Sequence, residues 1–194
     1  MKKIYFSILL FYFSFGYLFG QSNHETNNRL AKKYINNQRI QTLKNKPISF
    51  YLNHTSIDSY SKKFYKGELA ISNNEITQSI LDSALTKNEE TRPFYFFILN
   101  KIVELSGSEL SGMVSEKSMN YIKLFPCEFF RELNQPEIEI NVVKWTTYIG
   151  QSLSGGNKYA IFRNEVDTKI RSHCNEIYDL WKSFNNEVRM CVVR

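Results

Sequence analysis

An all-α chain is what the sequence predicts. Apolar residues recur at three- and four-residue steps almost throughout, Gly, Pro and Asn fall between those stripes, and strict alternation is confined to one short stretch. Ile76, Ile80, Leu81, Ala84 and Leu85 form the first clear stripe, with Asn73 or Asn74 placed to cap it. Pro93 suits the first turn of the next helix, on which Phe94, Phe97, Ile98, Ile102 and Leu105 share a face. Tyr95, Phe96 and Leu99 are apolar on its other sides, so this helix is expected at the centre of the fold.

Gly107 ends that helix and Ser108 is placed to cap the next, whose stripe of Leu110, Met113, Val114, Tyr121, Leu124 and Phe125 stops at Pro126. A short helical segment carries Phe129, Phe130 and Leu133. Ile138, Val142, Trp145, Ile149 and Leu153 then repeat at steps of four and three. Ile138, Ile140 and Val142 also alternate as in a strand, but the length of the periodic run favours helix from residue 138.

Ser154, Gly155, Gly156 and Asn157 make a turn before a helix with Tyr159, Phe162, Val166, Ile170 and His173, and a last helix runs from Cys174 through Trp181 to Cys191. Ahead of all these, residues 21–46 are expected to hold a looser, polar N-terminal helix, over Asn27 to Lys44. Helices joined by short turns predict antiparallel hairpins stacked in a short HEAT-like or α-α superhelical bundle. The resemblance is one of architecture, since no repeat signature of those families is present.

Residues 1–20 have the layout of a signal peptide: Lys2 and Lys3, an uncharged run from Ile4 to Phe19, then a polar turn with Gly20 as a small residue before the cut. Sixteen residues interrupted by Ser7, Ser14 and Gly16 fall short of the roughly 20 apolar residues that span a bilayer, so no stable membrane span is expected after cleavage. Residues 21–194 are then one exported domain, periplasmic or secreted.

Without Lys2 and Lys3 the chain keeps 23 basic against 19 acidic residues, a net charge of +4. The basic residues do not cluster as a nucleic-acid surface requires, and no nucleic-acid partner is expected.

Three cysteines remain in an oxidising compartment, which predicts one bridge and one spare thiol. Cys174 and Cys191 lie 17 positions apart on one helix, about 25 Å, and cannot pair. If the last four helices alternate in direction, Cys127 and Cys191 fall at the same end. Any intramolecular bridge must then use Cys127, and the expected one is Cys127 with Cys191, leaving Cys174 as the spare thiol; the alternative is that all three are buried thiols on apolar faces.

Short motifs with catalytic associations carry little here. His173 precedes Cys174, but helix neighbours point about 100° apart, so they do not form a nucleophile-base pair. His24, His54 and His173 stand in no HExxH pattern and no CxxC exists, so no metal or cofactor is expected. Ser59 to Lys62 spells SxxK, but with 19 serines and 17 lysines in 194 residues about two such pairs arise by chance. Gly155 and Gly156 lack a following GK[ST] and read as a turn. Glu89 with Glu90 and Glu137 with Glu139 sit where helix starts favour negative charge. Asn53, His54 and Thr55 match an N-glycosylation acceptor, and Asp82, Ser83 and Ala84 resemble a bacterial O-glycosylation acceptor.

With no catalytic constellation and 15% Phe, Tyr and Trp, the expected function is binding of another protein outside the cytoplasm. The alternatives are a hydrolase-type envelope enzyme built from scattered groups such as Glu104, Glu116, Glu128, Arg131 and Lys144, or a carrier of an apolar ligand.

Overall fold

A computed structural model describes residues 40–134 and 138–192. The expected signal peptide and residues 21–39 of the N-terminal segment lie outside the described residues.

The described chain opens with a small hairpin, β1 (Thr42–Leu43) paired antiparallel with β2 (Lys46–Pro47). This corrects the expectation of helix up to Lys44. Lys44 and Asn45 take left-handed backbone angles (φ 51° and 60°), as a two-residue hairpin turn requires, and Pro47 has no N–H with which to extend a helix. Leu43 is fully buried, so the hairpin is anchored on the core.

Two short helices follow, α1 (Ile48–Asn53) and α2 (Ser59–Lys66). Asp58 caps α2, its carboxylate accepting from the Ser61 backbone N–H at 2.8 Å and the Ser61 hydroxyl at 2.7 Å. Next come α3 (Glu75–Ser83) and α4 (Arg92–Leu105). Asn74 caps α3 through Thr77 N, and Pro93 sits in the first turn of α4, both as the sequence predicts. Every residue of α4 from Phe94 to Val103 is buried, so the expectation of a central helix is met.

Leu105 is followed by a 3-10 turn at Ser108–Leu110, in which Ser108 makes no side-chain cap. Then come α5 (Ser111–Leu124) and α6 (Pro126–Asn134). The helix expected from residue 138 begins later, as α7 (Val142–Leu153). Asn141 caps it through Lys144 N, and residues 138–141 are not helical. A buried contact explains the late start. Asn100 on α4 donates to the Glu139 carbonyl at 2.7 Å and accepts from Trp145 Nε1 at 2.9 Å, which holds the segment outside the helix.

Gly155 and Gly156 (φ 87° and 62°) turn the chain into α8 (Lys158–His173), and a 3-10 turn at Asn175–Ile177 leads to α9 (Tyr178–Val192). The described fold is thus predominantly helical, with one two-stranded sheet. Helix α7 packs most extensively against α5 and α9. Aromatic rings fill the space between these helices: Phe96 stacks on Tyr121 at 4.8 Å, Trp145 meets Phe129 at 4.7 Å, and Phe130 meets Trp181 at 5.7 Å. Among the described residues no helix is long and apolar enough to cross a membrane.

Candidate functional site

Pro126 cannot donate to the turn before it, so α5 stops at Leu124 and α6 begins after the single joint residue Phe125. Cys127 therefore stays at the end of the fold where α5 finishes. Helix α8 finishes at that same end, since Lys123 Nζ pairs with Glu165 at 2.7 Å and Lys169 Nζ donates to the Lys123 carbonyl. At Cys174 the backbone leaves the helical region (φ −157°, ψ 51°), and its side chain turns in toward α6.

Cys127 and Cys174 are joined by a disulfide, with Cα atoms 5.8 Å apart, and Cys191 is the free thiol. This corrects the expected Cys127–Cys191 bridge and the expected spare thiol Cys174. Counting alternate directions treats α6 as a helix that crosses the stack. It has only nine residues and starts beside the end of α8, while Cys191 lies far along α9, against Gly150 of α7. Cys174 is indeed not bonded to Cys191, but the reason differs from the one expected: the last helix does not reach back to Cys174, which ends α8, and α9 begins only at Tyr178.

Beside the bridge lies a surface cleft of about 390 Å³, walled by Leu124, Phe125, Pro126 and Cys127 on one side and by Lys169 and His173 on the other. A second cleft, of about 470 Å³, shares Leu124 and Lys169 and extends the groove along α5 and α8 past Asn164 and Thr168. Leu124 is 43% exposed, an unusual state for a large apolar side chain that the stripe on α5 would assign to the core.

The acidic group of this cleft is matched from the inner side. Glu128 accepts from Arg92 Nε at 2.6 Å and from the Tyr121 hydroxyl at 2.9 Å, and the Arg92 guanidinium lies 4.4 Å from the Phe125 ring centre. Burial first, and the Glu128 charge second, push the Tyr121 hydroxyl well above its ordinary range, so it acts as a neutral donor. Arg131 at the rim bonds Glu176 at 2.7 Å and ties α6 to the turn before α9. Lys169 has a backbone carbonyl for a partner, and among the described residues no carboxylate stands within ion-pair distance of it. The mouth is therefore apolar with a cationic edge.

The groups named for an envelope enzyme are dispersed. Glu116 lies beside Lys117 on α5, Glu128 and Arg131 have the partners just given, and Lys144 Nζ donates to the backbone carbonyl of Glu104 rather than to a carboxylate. Ser59 and Lys62 sit on α2, where Lys62 Nζ donates to the His54 carbonyl at 2.8 Å. Cys174 is oxidised, so the neighbouring His173 has no thiol to activate. Among the described residues no group of three His, Cys, Asp or Glu could hold a metal ion. Asn53 is exposed at the end of α1, whereas Ser83 donates to the Ser79 carbonyl at the end of α3 beside the buried Ala84. Glu90 is exposed and bonded to Lys46 and His54, while Glu137 and His24 lie outside the described residues.

Leu124, Phe125 and Lys169 carry the cleft, yet nothing in their local sequence separates them from core and surface neighbours. The only signal is Pro126, which forces the abrupt joint. No family model, curated protein or solved structure matches the chain.

Proposed function

We propose that this protein is exported and works by binding another protein through the cleft beside the Cys127–Cys174 bridge. The occupant is a segment that inserts an apolar side chain against Leu124 and Phe125 and sets a carboxylate near Lys169 and His173. The observation that carries this is the half-exposed Leu124 at the mouth of a cleft whose two walls are covalently tied. A tied cleft loses little freedom on binding, which favours affinity, and a cationic edge selects acidic partners. The disulfide fits an oxidising compartment, in keeping with a leader at residues 1–20. N-terminal sequencing of the extracytoplasmic form should start near Gln21, and a cytoplasmic chain that keeps Met1 would oppose export. In architecture the proposal takes α5 to α9 as a short stack of helical hairpins of the HEAT-like or α-α superhelical kind, whose ends offer grooves of this sort.

A photo-crosslinking side chain placed at Leu124 tests the docking site, with the same group at Ile161, 46% exposed on α8, as the control. The Leu124 position should give one discrete adduct whose mapped segment pairs an apolar residue with Asp or Glu. Identical adducts from both positions, or none from either, would overturn the proposal.

A further inference from the structure

A second groove, between α8 and α9, shares no residue with the docking cleft and has a different chemistry. It encloses about 220 Å³ and is lined chiefly by polar side chains. The two helices run antiparallel along it: the Tyr159 hydroxyl donates to Asn185 at 3.1 Å near one end, and Trp181 Nε1 donates to Asp167 at 3.3 Å near the other. Tyr159, Arg163 and Asp167 follow a four-residue rhythm on α8, and Lys182, Asn185 and Arg189 share one face of α9.

Arg163, Lys182 and Arg189 thus line one concavity from both sides, and all three are exposed. No carboxylate of the described residues pairs with any of them. The acid within the groove, Asp167, is taken by Arg171 at 2.7 Å. Three like charges facing one small space repel one another, and a concave surface of one sign concentrates the field felt by an incoming anion. Three cations exceed what one carboxylate neutralises, whereas a phosphate offers two charges and oxygens matched to the guanidinium fork. Tyr178 is occupied by the Arg171 guanidinium, 4.0 Å from its ring centre, so the half-buried Tyr159 and the amides of Asn185 and Asn186 give the rest of such a ligand its aromatic and hydrogen-bonding wall. The volume is below that of a drug-sized pocket, so the ligand is small.

We infer that the α8–α9 groove binds a small phosphate monoester, its phosphoryl group held by Arg163, Lys182 and Arg189 and its hydroxylated body by Tyr159, Asn185 and Asn186. This goes beyond the docking proposal and does not depend on it. Calorimetric titration of the full chain with glucose 6-phosphate, inorganic phosphate and glucose tests it. Glucose 6-phosphate should saturate at one per chain and bind more tightly than inorganic phosphate, and glucose should not bind. The exposed pair Arg163→Gln and Arg189→Gln should each weaken binding about tenfold while the circular dichroism spectrum is unchanged. Failure of glucose 6-phosphate to saturate, equal affinity for inorganic phosphate, or full affinity in the R163Q/R189Q variant would overturn the inference.

Discussion

The disulfide between Cys127 and Cys174 closes a loop of 47 positions and ties the first turn of α6 to the end of α8. Closing a loop of that length restricts the unfolded chain by about 4 kcal/mol in the chain-entropy account. The C127S/C174S variant should lose stability of that order in urea unfolding, whereas Cys191→Ser should lose far less. Thiol titration in denaturant should find one reactive group before reduction and three after it, and a peptide map should join 127 to 174. Three free thiols in the native protein would contradict the bridge.

Gly150 lets α7 and α9 approach closely. A Cβ at this position would stand 2.5 Å from Cys191 Cβ and 3.1 Å from the Cys191 carbonyl carbon. The second of these is backbone and cannot swing aside. Gly150→Ala should therefore destabilise the fold by about 1–3 kcal/mol, an overpacking cost. Cys191→Ala should give no relief, because alanine keeps the offending Cβ. Unchanged unfolding of the Gly150→Ala protein would contradict the helix spacing.

Trp145 and Asn100 form a buried hydrogen bond at 2.9 Å, and the same Asn100 holds the Glu139 carbonyl. Asn100→Leu leaves both the indole N–H and that carbonyl without their partner. The expected cost is about 1–3 kcal/mol for each unsatisfied buried group. Proteolysis near residues 138–141 should also accelerate, since that segment loses its tether to α4.

Several carboxylates set the acid response. Hydrogen bonds from Lys46 and His54, with the Lys46 charge, hold Glu90 below its ordinary 4.5. A hydrogen bond from Arg131 does the same for Glu176, also ordinarily 4.5. Burial opposes ionisation of Asp167, but hydrogen bonds from Arg171, Tyr178 and Trp181 outweigh it and hold the group below 3.8. In each case the unfolded state takes up protons first as pH falls, so the folded state loses relative stability. Their contribution should be fully present above the ordinary carboxylate values and fade as pH drops through the lowered ones. Urea midpoints measured from neutral pH downward check the sign, and a midpoint that rises below pH 4 would contradict it. Lys46→Met should flatten only the Glu90 share, a small one because both groups are exposed.

Much of the helical order was legible from spacing alone. The cap at Asn74, the Pro93 start and the apolar wrap of α4 are local features, and local chemistry sufficed to read them. Elements decided by distant contacts were not legible. The hairpin rests on left-handed Lys44 and Asn45 and on burial of Leu43, and α7 starts late because Asn100, some forty positions away, holds Glu139. Val142 shares the stripe of Trp145 and Ile149, yet is 37% exposed in the first turn. The disulfide partner depended on the chain leaving α8 at Cys174, which the apolar stripe had joined to the last helix, and on which helix ends meet in space, neither of which local spacing fixes. Leu124 and Lys169 become a site only because two helix ends meet.

Docking at the cleft beside the bridge is read out by the affinity of the partner crosslinked through Leu124. Binding should be compared for the native chain, Leu124→Asp, Lys169→Glu and the C127S/C174S variant, each checked for helical content. Leu124→Asp should lose about tenfold or more, Lys169→Glu a comparable amount that shrinks at high salt, and binding should weaken when the bridge is absent. Native affinity in Leu124→Asp would contradict docking at this cleft.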